Sequence, residues 1–181
     1  MCIARLRAVL SAVVLLLALA PPARADIFTI TGNTTGASTF NRPTEDLSVL
    51  SGIGTEVAYD ILAFQVSMDG IYSFLSTASF DNFIFMYQYS FDPANPLANA
   101  IGANDDLLTF TTSGFAGPLY AGTTYLYVTT GFSNADFGQF STTIGGPGQV
   151  LVVPEPAGWL LLGLGLGVLA LTRRRAQSSS S

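Results

Sequence analysis

Histidine and lysine are both missing from the 181 residues of this chain. Its one cysteine, Cys2, and its one tryptophan, Trp159, stand near opposite ends. Each absence removes a class of chemistry. Without histidine there is no Ser-His-Asp or Cys-His hydrolase. Without histidine or an internal cysteine there is no zinc site of the usual kind. Without a cysteine pair there is no disulfide, so packing, alone or with an ion, must supply the stability. No phosphate-cradling glycine loop opens a helix. Between Asp26 and Val153, Arg42 stands alone against eleven acidic residues, a net charge of −10. Nucleic-acid binding depends on Lys and Arg meeting phosphates, so it is excluded. A cation or a neutral polymer stays open as a partner.

The two ends carry patterns of address rather than of chemistry. Arg5 and Arg7 precede an apolar stretch from Ala8 to Ala20, Pro21-Pro22 break it, and Ala23-Arg24-Ala25 offers a small-x-small cleavage pattern. That order predicts a signal peptide over residues 1–25, cut by signal peptidase after Ala25. At the other end, Pro154-Glu155-Pro156 is followed by an apolar run from Ala157 to Leu171 and then by Arg173-Arg174-Arg175. A helix over 157–172 is about 24 Å long, short for a bilayer core of about 30 Å. It spans if the arginines snorkel to the cytoplasmic surface. The domain then lies outside and the polar tail, 176–181, inside.

This C-terminal order resembles the PEP-CTERM sorting signal of Gram-negative bacteria. The matching residues are Pro154, Glu155, Pro156, Arg173, Arg174 and Arg175. The resemblance implies processing by an exosortase near the PEP motif. It also implies export through the inner membrane to the cell envelope, the surface or a polysaccharide-rich matrix.

The intervening residues alternate in the two-residue period of strands. Strands are expected at Ile27–Ile30, Tyr59–Ser67, Ile71–Thr77, Asn82–Phe91, Leu107–Thr111, Gly122–Thr130 and Gly138–Ile144. Asp69-Gly70 predicts a hairpin turn. Phe83, Phe85, Tyr87, Tyr89 and Phe91 share one strand face, and Ile84 and Met86 share the other. No helical period of useful length appears. The expected fold is all-β, an antiparallel β-sandwich or jelly roll over 26–144. Residues 145–153, rich in Gly and Pro at their start, read as a linker. The segments 59–66, 69–74, 103–106 and 119–125 together resemble the pre-peptidase C-terminal type of jelly roll, which implies an accessory, non-catalytic role.

Candidate site residues are few. Asn104, Asp105 and Asp106, with Asp81-Asn82 and Asp92 in other inter-strand loops, offer oxygen ligands of the kind Ca2+ takes. Asp and Asn also populate turns because their side chains bond nearby backbone. The aromatic run reads as core or as a stacking platform for sugar rings. On the second reading Tyr87 and Tyr89 are the residues to contact a glycan. The leading expectation is a non-enzymatic exported surface or matrix protein with a structural, adhesive or glycan-binding role. Its partners would be exosortase, signal peptidase, the membrane before processing, and an extracellular polysaccharide. The alternative is a small secreted hydrolase that uses two carboxylates.

Overall fold

The computed structural model describes residues 25–154. Residues 1–24 of the expected signal peptide, the membrane helix and the sorting residues Glu155, Pro156, Arg173, Arg174 and Arg175 lie outside them. Ten strands follow one another: β1 (Asp26–Asn33), β2 (Thr39–Phe40), β3 (Val57–Val66), β4 (Gly70–Ala78), β5 (Asn82–Gln88), β6 (Ala100–Asn104), β7 (Thr112–Leu119), β8 (Tyr125–Gly131), β9 (Gln139–Gly146) and β10 (Val150–Val152). They build two antiparallel sheets, as the alternation predicts. The smaller runs β1-β9-β4-β7, and the larger runs β10-β3-β8-β5-β6 with β2 paired to β3. The pairings nest: β1 with β9, β3 with β8, β4 with β7 and β5 with β6. The chain is thus a doubled ribbon rolled into a β-sandwich.

The larger sheet is buried on both faces, and β5 shows why. Its Ile84 and Met86 point between the sheets. There they join Phe64, Tyr72, Phe74, Tyr125, Tyr127 and Ile144 in the main core. Its Phe83, Phe85 and Tyr87 point the other way, into a second core with Phe40, Val57 and Val128. That outer core is roofed by loops rather than by a third sheet. Phe91 returns over it, its ring 4.7 Å from Tyr87 and 5.3 Å from both Phe40 and Tyr59. Edge-on aromatic pairs of this kind add to the area they bury.

Several expectations give way. Asp69-Gly70 does not close a hairpin, because β3 and β4 belong to different sheets. A two-residue hairpin of that composition needs left-handed backbone at its centre. Gly70 is not among the positive-φ residues. The chain crosses between sheets there instead, fixed by the Tyr72 hydroxyl, which donates to the Met68 carbonyl at 3.0 Å. The strand expected at Leu107–Thr111 is a turn. The Thr112 hydroxyl takes the N–H groups of Leu108 and Thr109, at 3.4 and 3.1 Å. Such local bonds compete with a ladder. The linker expected at 145–153 is part of the sandwich: β9 runs to Gly146, and β10 pairs with β3 through Val150–Val152. Its N–H groups complete the open edge of β3, an outcome that Gly145-Gly146-Pro147-Gly148 alone conceals. β7 also escapes the pattern because of Gly114, Gly117 and Pro118. It is an edge strand, where a proline without an N–H is tolerated.

Both sheets and both cores close within 26–153, so this span has what it needs to fold alone. Truncating Phe85, which is fully buried, leaves a cavity under the loop roof. Phe85→Ala is expected to cost about 3–5 kcal/mol in urea unfolding of the 26–153 fragment. Ile27→Ala, on an exposed side chain, should change stability by under about 0.5 kcal/mol.

Candidate functional site

Four connections meet at one end of the sandwich: the long β1–β3 passage and the β4–β5, β6–β7 and β8–β9 loops. They are tied together by hydrogen bonds. Phe132 N–H donates to the Asp81 carbonyl at 3.0 Å, and Thr34 N–H to the Gly138 carbonyl at 2.9 Å. Asn104 Nδ2 donates to Glu45 Oε1 at 3.1 Å. Gly131 allows the β8–β9 loop to fold back on its own strand. A Cβ there would lie 2.1 Å from the Asp136 carbonyl oxygen.

Arg42 is at the centre of this end, and sequence reasoning did not single it out. It is the one basic residue among those described, and only 3 % of its surface is exposed. Its Nε and Nη2 donate to the Phe132 carbonyl at 3.0 and 2.8 Å, and its Nη1 to the Pro43 carbonyl at 3.0 Å. The guanidinium lies over the Phe83 ring at 4.1 Å and the Phe132 ring at 4.9 Å. Burial lowers its pKa, and the charges of Asp105 and Asp81 oppose that shift. A lone base in an acidic domain was the one available signal, and it said nothing about burial.

Beside Arg42, the carboxylates of Asp81, Asp105 and Asp106 converge, with one oxygen from each lying within 4.8 Å of the others. Asp105 Oδ1 is buried and has no hydrogen-bond partner. Burial, followed by the charges of Asp106 and Asp81, pushes the Asp105 pKa up to about 6, and Arg42 only partly offsets this. Asp81 is also raised, first by burial and then by Asp136 and Asp106. Three crowded carboxylates, one with an orphaned oxygen, fit a hard divalent cation such as Ca2+. Asn104 is placed differently. Its Oδ1 accepts the Gly114 N–H at 2.7 Å, so that oxygen is already engaged in joining β6 to β7. The Ser113 hydroxyl meets the backbone carbonyls of both Asn82 and Asp105. Asn82 itself is buried with neither amide atom partnered. By strand alternation it faces inward, on the side opposite Phe83.

The two tyrosines proposed to contact glycan part company. Tyr87 is fully buried, and its hydroxyl donates to the Pro96 carbonyl at 2.9 Å. Burial pushes its phenol pKa up. It therefore presents no face to a ligand, which corrects its reading as a contact residue. Tyr89 takes φ of 74°, leaves the strand and is 68 % exposed. That kink separates it from the row of rings it was grouped with. Elsewhere, a groove of about 700 Å3 on the smaller sheet is lined by neutral residues, among them Thr31, Asn33, Thr77, Ser79, Gln139 and Ser141.

No family model and no curated relative matches the sequence. Solved structures similar to it include the pre-peptidase C-terminal domain of a Bacillus anthracis collagenase. That match has 13% identity and a TM-score of 0.39, and covers 65% of this chain and 87% of the other. A carbohydrate-binding module from Cellvibrio japonicus aligns at 14% identity and TM-score 0.35, over 70% of this chain and 99% of the other. An adhesin domain of Lys-gingipain from Porphyromonas gingivalis aligns at 16% and 0.33, over 74% and 94%.

A carboxylate raised in the folded state binds protons there that the unfolded chain has already lost. Asp105 titrates near 6 when folded, against about 3.9 unfolded. Its contribution to stability is therefore present below pH 4 and lost as pH rises through 6. The melting midpoint of the metal-free 26–153 fragment should fall between pH 4.5 and 7. Asp105→Asn should flatten the fall, and millimolar Ca2+ should reverse it in the native sequence but not in Asp105→Asn. A midpoint that is the same in chelator and in Ca2+ at pH 7 would dispose of the cation.

Proposed function

We propose that this chain is a non-enzymatic exported protein, sorted through a PEP-CTERM signal to the cell surface or extracellular matrix. There it serves as a structural or adhesive module that associates with glycan. The nested strand pairing supports the jelly-roll reading of the domain. In this reading Ca2+ held by Asp81, Asp105 and Asp106 relieves their repulsion and fixes the loops around them.

The burial of Asp105 is the observation that weighs most against the hydrolase. Glycoside hydrolysis needs two carboxyl groups that flank a bound sugar. Here the Asp105 oxygen without a partner is closed to solvent. The 700 Å3 groove is lined by none of Asp81, Asp105 and Asp106. The raised pKa of Asp105 is the one feature a general acid would share, and burial beside other acids accounts for it.

Two measurements test the proposal. The 26–153 fragment, incubated with polysaccharides, should bind without releasing reducing ends. Product release that disappears in Asp105→Asn would establish the hydrolase instead. Mass spectrometry of the protein recovered from its native envelope should show a mature N-terminus at Asp26 and a mass lacking residues beyond the PEP motif. An intact C-terminus would mean a plain membrane anchor.

A further inference from the structure

The outer face of the smaller sheet has an unusual composition for so acidic a domain. Outward positions alternate along each strand. On β1 they are Ile27, Thr29, Thr31 and Asn33, and the pattern continues across β9, β4 and β7 without a charged side chain. Hydroxyls and amides cluster at one end of this face. The strand register sets Thr31 opposite Ser141, Ser141 opposite Thr77, and Asn33 opposite Gln139. These side chains line the 700 Å3 groove. Asn33 Oδ1 accepts the Thr35 N–H at 2.9 Å, and the hydroxyls of Thr77 and Ser79 donate to the Ser141 and Gln139 carbonyls at 3.5 and 3.3 Å, which leaves acceptor lone pairs and the Asn33 amide N–H groups to the outside.

We propose that this groove is the surface on which the protein holds a neutral polysaccharide, and the inference rests on the glycan-associated reading above. The chemistry of the face selects the ligand class. A polyol supplies donors and acceptors to hydroxyls and amides whose hydrogen-bonding capacity is only partly used within the protein. An anionic polymer gains nothing here. The face offers no cation, and the net charge of −10 over residues 26–153 opposes its approach. A cationic partner would be drawn to the acidic end instead. The groove is open and shallow, so binding is individually weak and gains from many copies along one polymer.

The test uses the full chain in detergent micelles and measures retention on insoluble cellulose, β-1,3-glucan and starch, with alginate as the acidic comparator. The native sequence should bind at least one neutral polymer and ignore alginate. Thr77→Ala/Gln139→Ala/Ser141→Ala should weaken that binding at least tenfold while leaving the melting midpoint within a few degrees. Leu108→Ala, on a side chain 88 % exposed in the β6–β7 loop, should leave binding unchanged. Neutral-polymer binding that survives the triple substitution would overturn the groove and leave the glycan-associated reading standing. Binding to alginate alone would do the same. Retention on none of the polymers would overturn both.

Discussion

One buried cation organises the acidic end of this sandwich. Arg42 is clamped between the rings of Phe83 and Phe132 and holds the carbonyls of Phe132 and Pro43. Taking a guanidinium out of water is costly unless its donors are met and a countercharge is near. Here three donations to backbone, two aromatic faces and the nearby charges of Asp81 and Asp105 meet that requirement. Because its partners belong to different loops, satisfying Arg42 fixes those loops to one another and to β5.

The second core depends on that arrangement. A sheet face crowded with Phe83, Phe85 and Tyr87 would be an aggregation hazard if left open. The roof comes from Phe40 on the two-residue strand β2 and from Leu47 and Phe91 on loops, segments with few ladder bonds of their own. Arg42 lies in the same passage as Phe40 and Leu47. The Arg42 N–H donates to the Gly54 carbonyl and Ser51 N–H to the Arg42 carbonyl, at 3.0 and 2.8 Å. Polar and apolar contacts thus reinforce one another. The arrangement also concentrates negative charge: with Arg42 engaged by backbone and rings, Asp81, Asp105 and Asp106 are only partly neutralised. On the proposed reading that imbalance draws a cation to the corner, and the uncharged outward face of the smaller sheet meets a neutral glycan.

The alternation of Tyr72, Phe74 and Ser76 against Ile71, Ser73 and Leu75 was legible in the sequence, and the first three face inward. So was the all-β class. β5 was legible as a strand but ambiguous in its faces, because a strand buried on both sides carries apolar residues at every position. β6, β7 and β10 were hidden. They are edge or near-edge strands made of Ala, Gly, Pro and short segments, whose pairing is dictated by their neighbours rather than by side-chain pattern. The convergence of Asp81 with Asp105 and Asp106 was foreshadowed by residue type alone. What brings them together is the β5–β6 register, with Ile84 opposite Asn104. The burial of Arg42 and Asn82 was out of reach, since it depends on partners distant in sequence. Tyr87 and Tyr89 look equivalent by spacing, and the left-handed backbone of Tyr89 itself sets them apart.

The most direct test of this account is amide hydrogen exchange on the 26–153 fragment with Arg42 changed to Gln. Losing the charge-assisted clamp should strip protection from the amides of Arg42, Ser51 and Phe132 and from the outer-core strand β2. The β4–β9 ladder of the smaller sheet should keep its protection. Unchanged exchange at Ser51 and Phe132 would contradict the claim that this one cation holds the acidic end and its roof together.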